Sequence, residues 1–441
     1  MRIALYYIPI VTLFLFFCSC GGDGQRSNRR RTQNQNDNIE QPDKMPVLKP
    51  VVNVYLENSG SMDGYVKGVT DFKHAVYSYL SDVKIAGVAD TINLFYINSK
   101  IIPFGSDIAE FIDKLNPATF KNRGGNRGET DIAVVLKTIL DETDDRTVSI
   151  FVSDCVFSPG KGKDADEYLV TQRIGIKVNV AELIKKNPNA AFSIYRLTSQ
   201  FDGFYYNRRD DKTSINNRRP FFIWLIGNVD FITTLNKRIP SEKIRGSGIT
   251  HSYTLLPLAQ DVEYGIQFTP KYGNFKLSRE KGKTKTHLLN PEKASKGIHK
   301  GEFMFSVGVD FSNLQTLLGK EYLLKSENYS VTVNKQPSEV FSMEIKENNG
   351  TIAKYTHFIQ LFTTQKIPVG DVEISLIHKE PRWITEVNDE VGLDIKIPGA
   401  MDQTYGIKYM TGGVEDAYQI IFNEAKNIHR SYVKLKVNIS K

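Results

Sequence analysis

The sequence predicts an α/β fold with a doubly wound, mainly parallel sheet, followed by an antiparallel β-sandwich-like domain. Between residues 51 and 240, short apolar runs alternate with segments of helical periodicity, which is typical of βαβ units. From residue 241 that periodicity mostly stops, and short strand-like runs recur between polar loops. We therefore expect an α/β domain at 51–240 and one or two β-sandwiches at 241–441.

The elements of the first region follow from two patterns in the chain. Continuous apolar, β-branched runs predict buried strands, and apolar residues spaced three or four apart predict helices. The expected strands are Val51–Leu56, Thr91–Ile97, Val148–Val152, Phe192–Leu197 and Phe221–Ile226, and the expected helices are Val69–Val83, Ile108–Leu115, Asp131–Leu140, Ile174–Lys186 and Val229–Ile239.

The composition excludes several classes of protein. The 441 residues are 40% apolar, 24% charged and 11% aromatic, which rules out a collagen-like, coiled-coil or wholly disordered chain. Three cysteines cannot build a disulfide scaffold. The net charge of +7 is small for this length, so its distribution matters more than its sum.

The first 19 residues are typical of an export signal. Arg2 precedes an almost wholly apolar run at 3–17, which is short for a membrane-spanning helix. The ending resembles a bacterial lipobox, because Cys20 follows the small residue Ser19. That resemblance implies lipidation of Cys20, and Gly21 in place of aspartate favours the outer membrane. The alternative is an uncleaved anchor.

Residues 20–50 form a predicted tether. They are rich in Arg, Asn, Gln and Asp, with few apolar side chains, so they cannot bury enough surface to fold. We therefore expect the folded domains to be exported and held at the cell envelope by a lipid.

Oxygen-bearing side chains lie at the ends of three predicted elements, all at one edge of the sheet. They are Glu57, Ser59 and Ser61 after the first strand, Thr130 before a helix, and Asp154 after an apolar strand. Parallel α/β sheets bind ligands at the carboxyl ends of their strands. Hard oxygen donors gathered there suit Mg²⁺, Ca²⁺ or Mn²⁺.

The order and spacing of these residues resemble a von Willebrand factor A (vWA) domain, a Rossmann-like fold with a metal-ion-dependent adhesion site. The family motif Asp-x-Ser-x-Ser aligns with residues 57–61, with Glu57 in place of the aspartate, while Thr130 and Asp154 match the later ligands. The resemblance implies a cation that keeps one position open for a partner's carboxylate. Asp63 and Asp131 are possible auxiliary carboxylates. The alternative is an A-type fold that binds no metal.

A predicted loop at Ser199–Arg219 is a candidate for ligand binding. It carries Tyr205, Tyr206, Arg208 and Arg209, and aromatic and arginine side chains are frequent anchors of binding surfaces. For an exported lipoprotein we expect a protein or other acidic ligand at the envelope, and no nucleic acid.

The sequence thus favours a binding protein over an enzyme. One alternative is a metal-free structural scaffold of an envelope assembly. Another is a metal-dependent hydrolase that uses Glu57, Asp63 and Asp154, although no histidine lies near the motif.

Overall fold

The structure, a computed structural model, describes residues 48–441 except 129–130, 161, 258, 282–284, 351–352, 393–394 and 423–429. The predictions for the export signal, for Cys20, for most of the tether and for Thr130 lie outside the described residues. From Leu48 to Lys441 the chain forms one compact unit.

The first part of the described chain alternates strands and helices, as the apolar patterns predict. Thr70 caps the first long helix by accepting a hydrogen bond from the Lys73 backbone N–H at 3.3 Å, and Gly87 ends it with a left-handed φ of 59°. The elements are β1 Val51–Glu57, α1 Asp71–Ala86, β2 Thr91–Ile97, β3 Ile101–Gly105, α2 Ile108–Asp113, α3 Pro117–Lys121, α4 Ile132–Asp141, β4 Thr147–Ser153, α5 Ala165–Lys186, β5 Ala190–Tyr206, β6 Lys212–Asn228, α6 Val229–Arg238 and β7 Ile249–Leu255.

These strands form one sheet in the order β3-β2-β1-β4-β6-β5-β7. Only the pairs β2–β1 and β1–β4 are parallel, whereas the pairs β2–β3, β4–β6, β6–β5 and β5–β7 are antiparallel. The expectation of a mainly parallel sheet is therefore wrong, and the sheet is mixed. The reason is that β5 and β6 are joined by a tight hairpin, which forces an antiparallel pair where a helical crossover would give a parallel one.

The segment expected to be a loop at Ser199–Arg219 is mostly strand. β5 and β6 continue beyond the sheet as a two-stranded ribbon, residues 199–219, with a turn at 207–211. Phe201, Tyr205 and Ile215 are buried along it, while most of the polar residues between its ends are at least partly exposed. Outward polar residues dominate the composition of this stretch, which explains why the sequence indicates a loop.

The second part of the described chain is rich in strands, as expected. The elements are β8 Tyr264–Tyr272, β9 Asn274–Leu277, β10 His287–Glu292, β11 Phe303–Val309, α7 Ser312–Leu318, α8 Lys320–Leu324, β12 Tyr329–Val333, β13 Gln336–Pro337, β14 Ser342–Glu347, β15 His357–Thr363, β16 Gly370–Ile377, α9 Arg382–Glu386, β17 Asn388–Asp389, β18 Thr404–Tyr405, α10 Ile407–Ile421 and β19 Ser431–Ser440. One sheet has the order β13-β12-β16-β19-β10-β9 and another has the order β14-β15-β11-β8. Their pairing is antiparallel except for a short parallel contact between β10 and β19.

The two parts of the chain share structural elements. β7 joins the edge of the mixed sheet although it lies beyond the predicted boundary at residue 240. α10, from the carboxyl-terminal half, packs against α5. Within the described residues, no helix has both the length and the apolar character needed to cross a bilayer.

Candidate functional site

The candidate site lies where β1 and β4 end side by side. The two strands pair in parallel with Leu56 opposite Val152. Glu57 is the last residue of β1, and Asp154 follows the last residue of β4. Two carboxylates that are distant in the sequence therefore meet at the carboxyl edge of the parallel strands, as the sequence predicts.

Both carboxylates are buried, each only 3% exposed. Burial raises the pKa of Glu57 to about 8, and the negative charge of Asp154 adds to that rise. Hydrogen bonds from Ser153 and Ser59 oppose it, and Ser153 Oγ donates directly to Glu57 Oε2. Glu57 is therefore a carboxyl group that resists ionisation unless positive charge is supplied.

Asp154 is buried in the same way, but more neighbouring groups stabilise its charged form. Burial raises its pKa, while a hydrogen bond from Ser61 and one from the Val156 backbone N–H at 3.2 Å lower it. The positive charge of Arg219 lowers it further. Among the described residues, neither Glu57 nor Asp154 forms an ion pair.

The two serine hydroxyls lie together. Ser59 Oγ and Ser61 Oγ are 2.9 Å apart, and Ser61 begins a short 3-10 helix, Ser61–Tyr65, that directs the chain away from β1. The Ser59 hydroxyl lowers the pKa of Glu57 and the Ser61 hydroxyl lowers that of Asp154, so each serine lies close to one of the two carboxylates. The structure thus brings together every described member of the predicted ligand set.

The predicted auxiliary carboxylates have other partners. Asp63 pairs with Arg127 and lies 3.6 Å from Lys121 Nζ. Asp131 caps α4 through the Val134 backbone N–H at 3.1 Å and accepts a hydrogen bond from Gln172 at 3.0 Å. Both side chains therefore have structural partners that would compete with a cation.

Arg127 is a site residue that the sequence reasoning missed. Its Nε donates to Asn58 Oδ1 at 2.8 Å and its Nη2 to the Ser59 carbonyl at 3.0 Å, while its own carbonyl accepts from the Gly60 backbone N–H at 3.0 Å. The guanidinium therefore holds the turn that presents both serines. An arginine in a glycine-rich stretch gives no sequence signal for this role, because every contact is long-range.

The ribbon forms one wall of the site. A cavity of about 170 Å³ opens at the site. Tyr206 and Asp210 from the ribbon line this cavity together with Glu57, Ser59 and Ser61. Tyr206 stands close to the turn, since a Cβ added at Gly60 would meet its ring 3.6 Å away. Hence the structure brings one of the two predicted tyrosines to the site.

The other predicted ligand-binding residues lie elsewhere on the ribbon. Tyr205 is buried against Arg219, whose guanidinium carbon lies 4.8 Å from the centre of the ring. Arg208 and Arg209 line a separate, open cleft beside Lys163 at the start of α5. These arginines are neighbours of the candidate site rather than part of it.

The donor set is chemically suited to a hard divalent cation. Glu57 and two serine hydroxyls line one cavity, the buried carboxylate of Asp154 lies beside Glu57, and oxygen ligands are those that Mg²⁺, Ca²⁺ and Mn²⁺ prefer. The buried carboxylates lack a cationic ion-pair partner in the described part of the chain, and a bound cation would supply that charge. Within the same part, no group of three or more Asp, Glu, His and Cys side chains comes together, so hydroxyls would have to complete the coordination.

Comparison with known proteins gives no relative: no protein-family model, curated protein or solved structure matches the chain. The resemblance to vWA domains therefore rests on the motif and on the site geometry.

Proposed function

We propose that the chain is a lipid-anchored binding protein of the cell envelope, with a vWA-like domain that engages an acidic protein or other anionic ligand through a divalent cation. The carrying observation is that two buried carboxylates, Glu57 and Asp154, lie side by side where β1 and β4 end, and that Glu57 and two serine hydroxyls line a cavity there. The site supports binding rather than hydrolysis, because Asp63, the third carboxylate that a hydrolase would need, pairs with Arg127.

The proposed ligands are Glu57, Ser59, Ser61 and Asp154. Thr130 is a further candidate from the motif. When bound, the cation would offer an open coordination position to a carboxylate of the partner. The chain's own residues would orient the hydroxyls through Arg127 and restrict access through Tyr206.

Calorimetric titration with Mg²⁺, Ca²⁺ and Mn²⁺ tests the metal part of the proposal. We expect the wild type to bind at least one of these ions, and Ser61→Ala to weaken binding at least tenfold because a hydroxyl ligand is lost. Ser106→Ala removes an exposed hydroxyl elsewhere and serves as the matched control. Absence of binding by the wild type, or equal binding by Ser61→Ala, would favour the metal-free scaffold instead.

Export and lipidation need a separate experiment. Metabolic labelling with a radioactive fatty acid should modify the wild type in a bacterial host, and Cys20→Ser should remove the label. Fractionation of outer and inner membranes would then locate the anchored chain. A wild type that incorporates no label would contradict the lipid anchor without bearing on the cation site.

A further inference from the structure

A basic segment of the β-rich part takes no part in the candidate site. Residues 271–300 contain nine lysine or arginine residues and two glutamates, so this stretch alone has the same surplus of seven positive charges as the whole chain. The rest of the chain is therefore neutral overall. The segment comprises the end of β8, the strands β9 and β10, and the loop that follows β10.

Most of these charges have no anionic partner among the described residues. Lys285 lies 3.6 Å from Glu263, and Lys293 Nζ donates to the Thr364 carbonyl at 2.6 Å. The other described cations of the segment form no ion pair within the described chain, and they are the half-buried Lys271 and the exposed Lys276, Arg279, Lys281, Lys296 and Lys300. Unpaired charges of one sign on one surface attract a partner of the opposite sign.

Carboxylates border this surface without cancelling its charge. Glu263 also pairs with Lys354. Glu302 lies 2.8 Å from His299 Nδ1, and Glu339 lines the same cleft as Glu302. With these three glutamates and Lys354 included, nine described lysine or arginine residues stand against five glutamates. The positive surplus is therefore a property of the folded surface as well as of the sequence.

Two adjoining segments gather part of this charge at one edge. The turn at 271–275 and the loop at 293–300 are in contact, because the rings of Tyr272 and His299 stack with their centroids 3.4 Å apart. A Cβ added at Gly273 would clash with the Glu292 carbonyl oxygen, so the turn also lies against the end of β10. We call these two segments the basic edge, and its lysines are Lys271, Lys293, Lys296 and Lys300.

Exposed apolar side chains lie on the basic edge and beside it. Ile298, in the loop, is 93% exposed, and Phe268, on β8, is 51% exposed. Phe268 stacks on Phe275 with the ring centroids 5.6 Å apart, and Lys271 Nζ lies 5.1 Å from the centre of the Phe275 ring. Apolar side chains among lysines are the combination with which protein surfaces enter the interface of an anionic membrane.

We propose that the basic edge docks on an anionic lipid surface, with Ile298 in the headgroup region and the lysines against the phosphates. This inference goes beyond the proposed cation site and uses different residues. Lysines suit a lipid surface, because a strongly hydrated ammonium is attracted to many headgroups without a fixed geometry. A single-stranded nucleic acid would need exposed aromatic rings on which its bases stack, whereas the most exposed apolar side chain of the edge is aliphatic.

The predicted tether makes a weak contact sufficient. A flexible chain of the length of residues 20–50 has an end-to-end distance of roughly 30 Å, which would keep a lipid-anchored chain close to the headgroups. Docking is then intramolecular, and a high effective concentration of lipid replaces a high affinity. The contact itself does not involve Cys20, so it can be measured without the anchor.

The test uses residues 48–441, which form one compact unit and contain the hydrophobic clusters of the described chain. Sedimentation measures binding to vesicles of phosphatidylcholine alone, or of equal parts of phosphatidylcholine and phosphatidylglycerol. Lys296→Gln/Lys300→Gln removes two exposed charges from the basic edge. Lys185→Gln/Lys186→Gln removes two exposed charges from the end of α5 and is the matched control.

We expect the unmodified protein to bind the anionic vesicles and not the neutral ones. It should be released as NaCl rises from about 0.1 M to about 0.5 M, because salt screens exposed charges. Lys296→Gln/Lys300→Gln should bind at least tenfold more weakly, since each lysine at an anionic surface contributes roughly fivefold, whereas the control should stay within about twofold.

The apolar part of the contact has its own pair of variants. Ile298→Ser leaves the charge unchanged and should weaken binding to the anionic vesicles about threefold, because an apolar side chain no longer enters the interface. Ile85→Ser makes the same change at a position on α1 that is 82% exposed, and it should bind like the unmodified protein.

Three results would overturn the proposal. They are no binding to anionic vesicles, equal binding to both kinds of vesicle, and equal binding by the two double variants. Release of the protein from vesicles by polyuridylate, at a phosphate concentration below that of the lipid, would assign the edge to nucleic acid instead. None of these results bears on Cys20 or on the cation site, which fatty-acid labelling and calorimetry test separately.

Discussion

Replacing Glu57 by glutamine should separate the stability of the protein from its proposed cation binding. Glutamine has nearly the same shape, and its amide oxygen can still accept the hydrogen bond from Ser153. The substitution replaces a buried carboxyl group, which must take up a proton on folding at neutral pH, by a permanently neutral side chain. We therefore expect a protein that is more stable at neutral pH without metal and that no longer binds Mn²⁺.

The size of the effect follows from the pKa of Glu57, which rises from an ordinary 4.5 to about 8 on folding. A raised pKa means that the folded protein holds the proton more tightly than the unfolded chain does. The contribution of Glu57 to the free energy of unfolding is thus fully present below pH 4.5 and is lost as the pH rises toward 8. Each pH unit in that window costs about 1.4 kcal/mol, so the loss between pH 5 and pH 8 is on the order of 3 kcal/mol.

Urea unfolding at several pH values in the presence of a chelator measures this difference. The stability of Glu57→Gln relative to wild type should increase by about 3 kcal/mol between pH 5 and pH 8. Glu182→Gln, a change at an exposed position on α5, should follow the wild-type profile. Parallel profiles for Glu57→Gln and wild type would refute the view that Glu57 is a destabilised carboxyl group. Added Mn²⁺ should stabilise wild type and Glu182→Gln but not Glu57→Gln, because a ligand stabilises only a protein that binds it.

Two further predictions concern the ribbon and the contact of α10 with the mixed sheet. Gly203→Ala should destabilise the protein by about 1–3 kcal/mol in thermal or urea unfolding, because the added carbon would lie 2.7 Å from Gly64 Cα; unchanged stability would mean that the ribbon shifts freely. Burial raises the pKa of Glu415, which accepts a hydrogen bond from Tyr253, to about 7. Glu415 should therefore lose about 3 kcal/mol of its contribution to stability as the pH rises from below 4.5 to above 7, and the fall measured for Glu415→Gln across this range should be smaller than that of wild type by this amount.

The sequence predicts the positions of Glu57 and Asp154 because local patterns determine the two strands that these residues follow or end. β1 and β4 are short apolar runs whose side chains pack into hydrophobic clusters on both faces of the sheet, and such strands stand out against their surroundings. The polar residues that follow them, Glu57 and Asp154, then lie at one edge by the geometry of parallel pairing alone. No other knowledge of tertiary structure is needed to place these two side chains together.

The positions of the ribbon and of Arg127 beside the site depend on contacts that no local pattern reveals. The antiparallel direction of β6 follows from a turn at 207–211, and the few buried apolar residues of the ribbon lie among the polar residues that dominate its composition. Arg127 reaches Asn58 and Asp63 across more than sixty residues. Both features require the folded chain, because neither side of these contacts carries a signal of its own.

The folded chain also shows how Glu57 is accommodated at the position where the motif has an aspartate. From the motif alone, Glu57 is one methylene too long for a position built for aspartate. In the structure the longer side chain of Glu57 reaches Ser153, whose Oγ donates a hydrogen bond to Glu57 Oε2. The glutamate is thus held by a specific hydrogen bond, although its burial beside a second carboxylate costs stability. Because a neutral side chain in its place would fold more favourably at neutral pH, the charge is better explained by a cation that the site binds than by the needs of the fold.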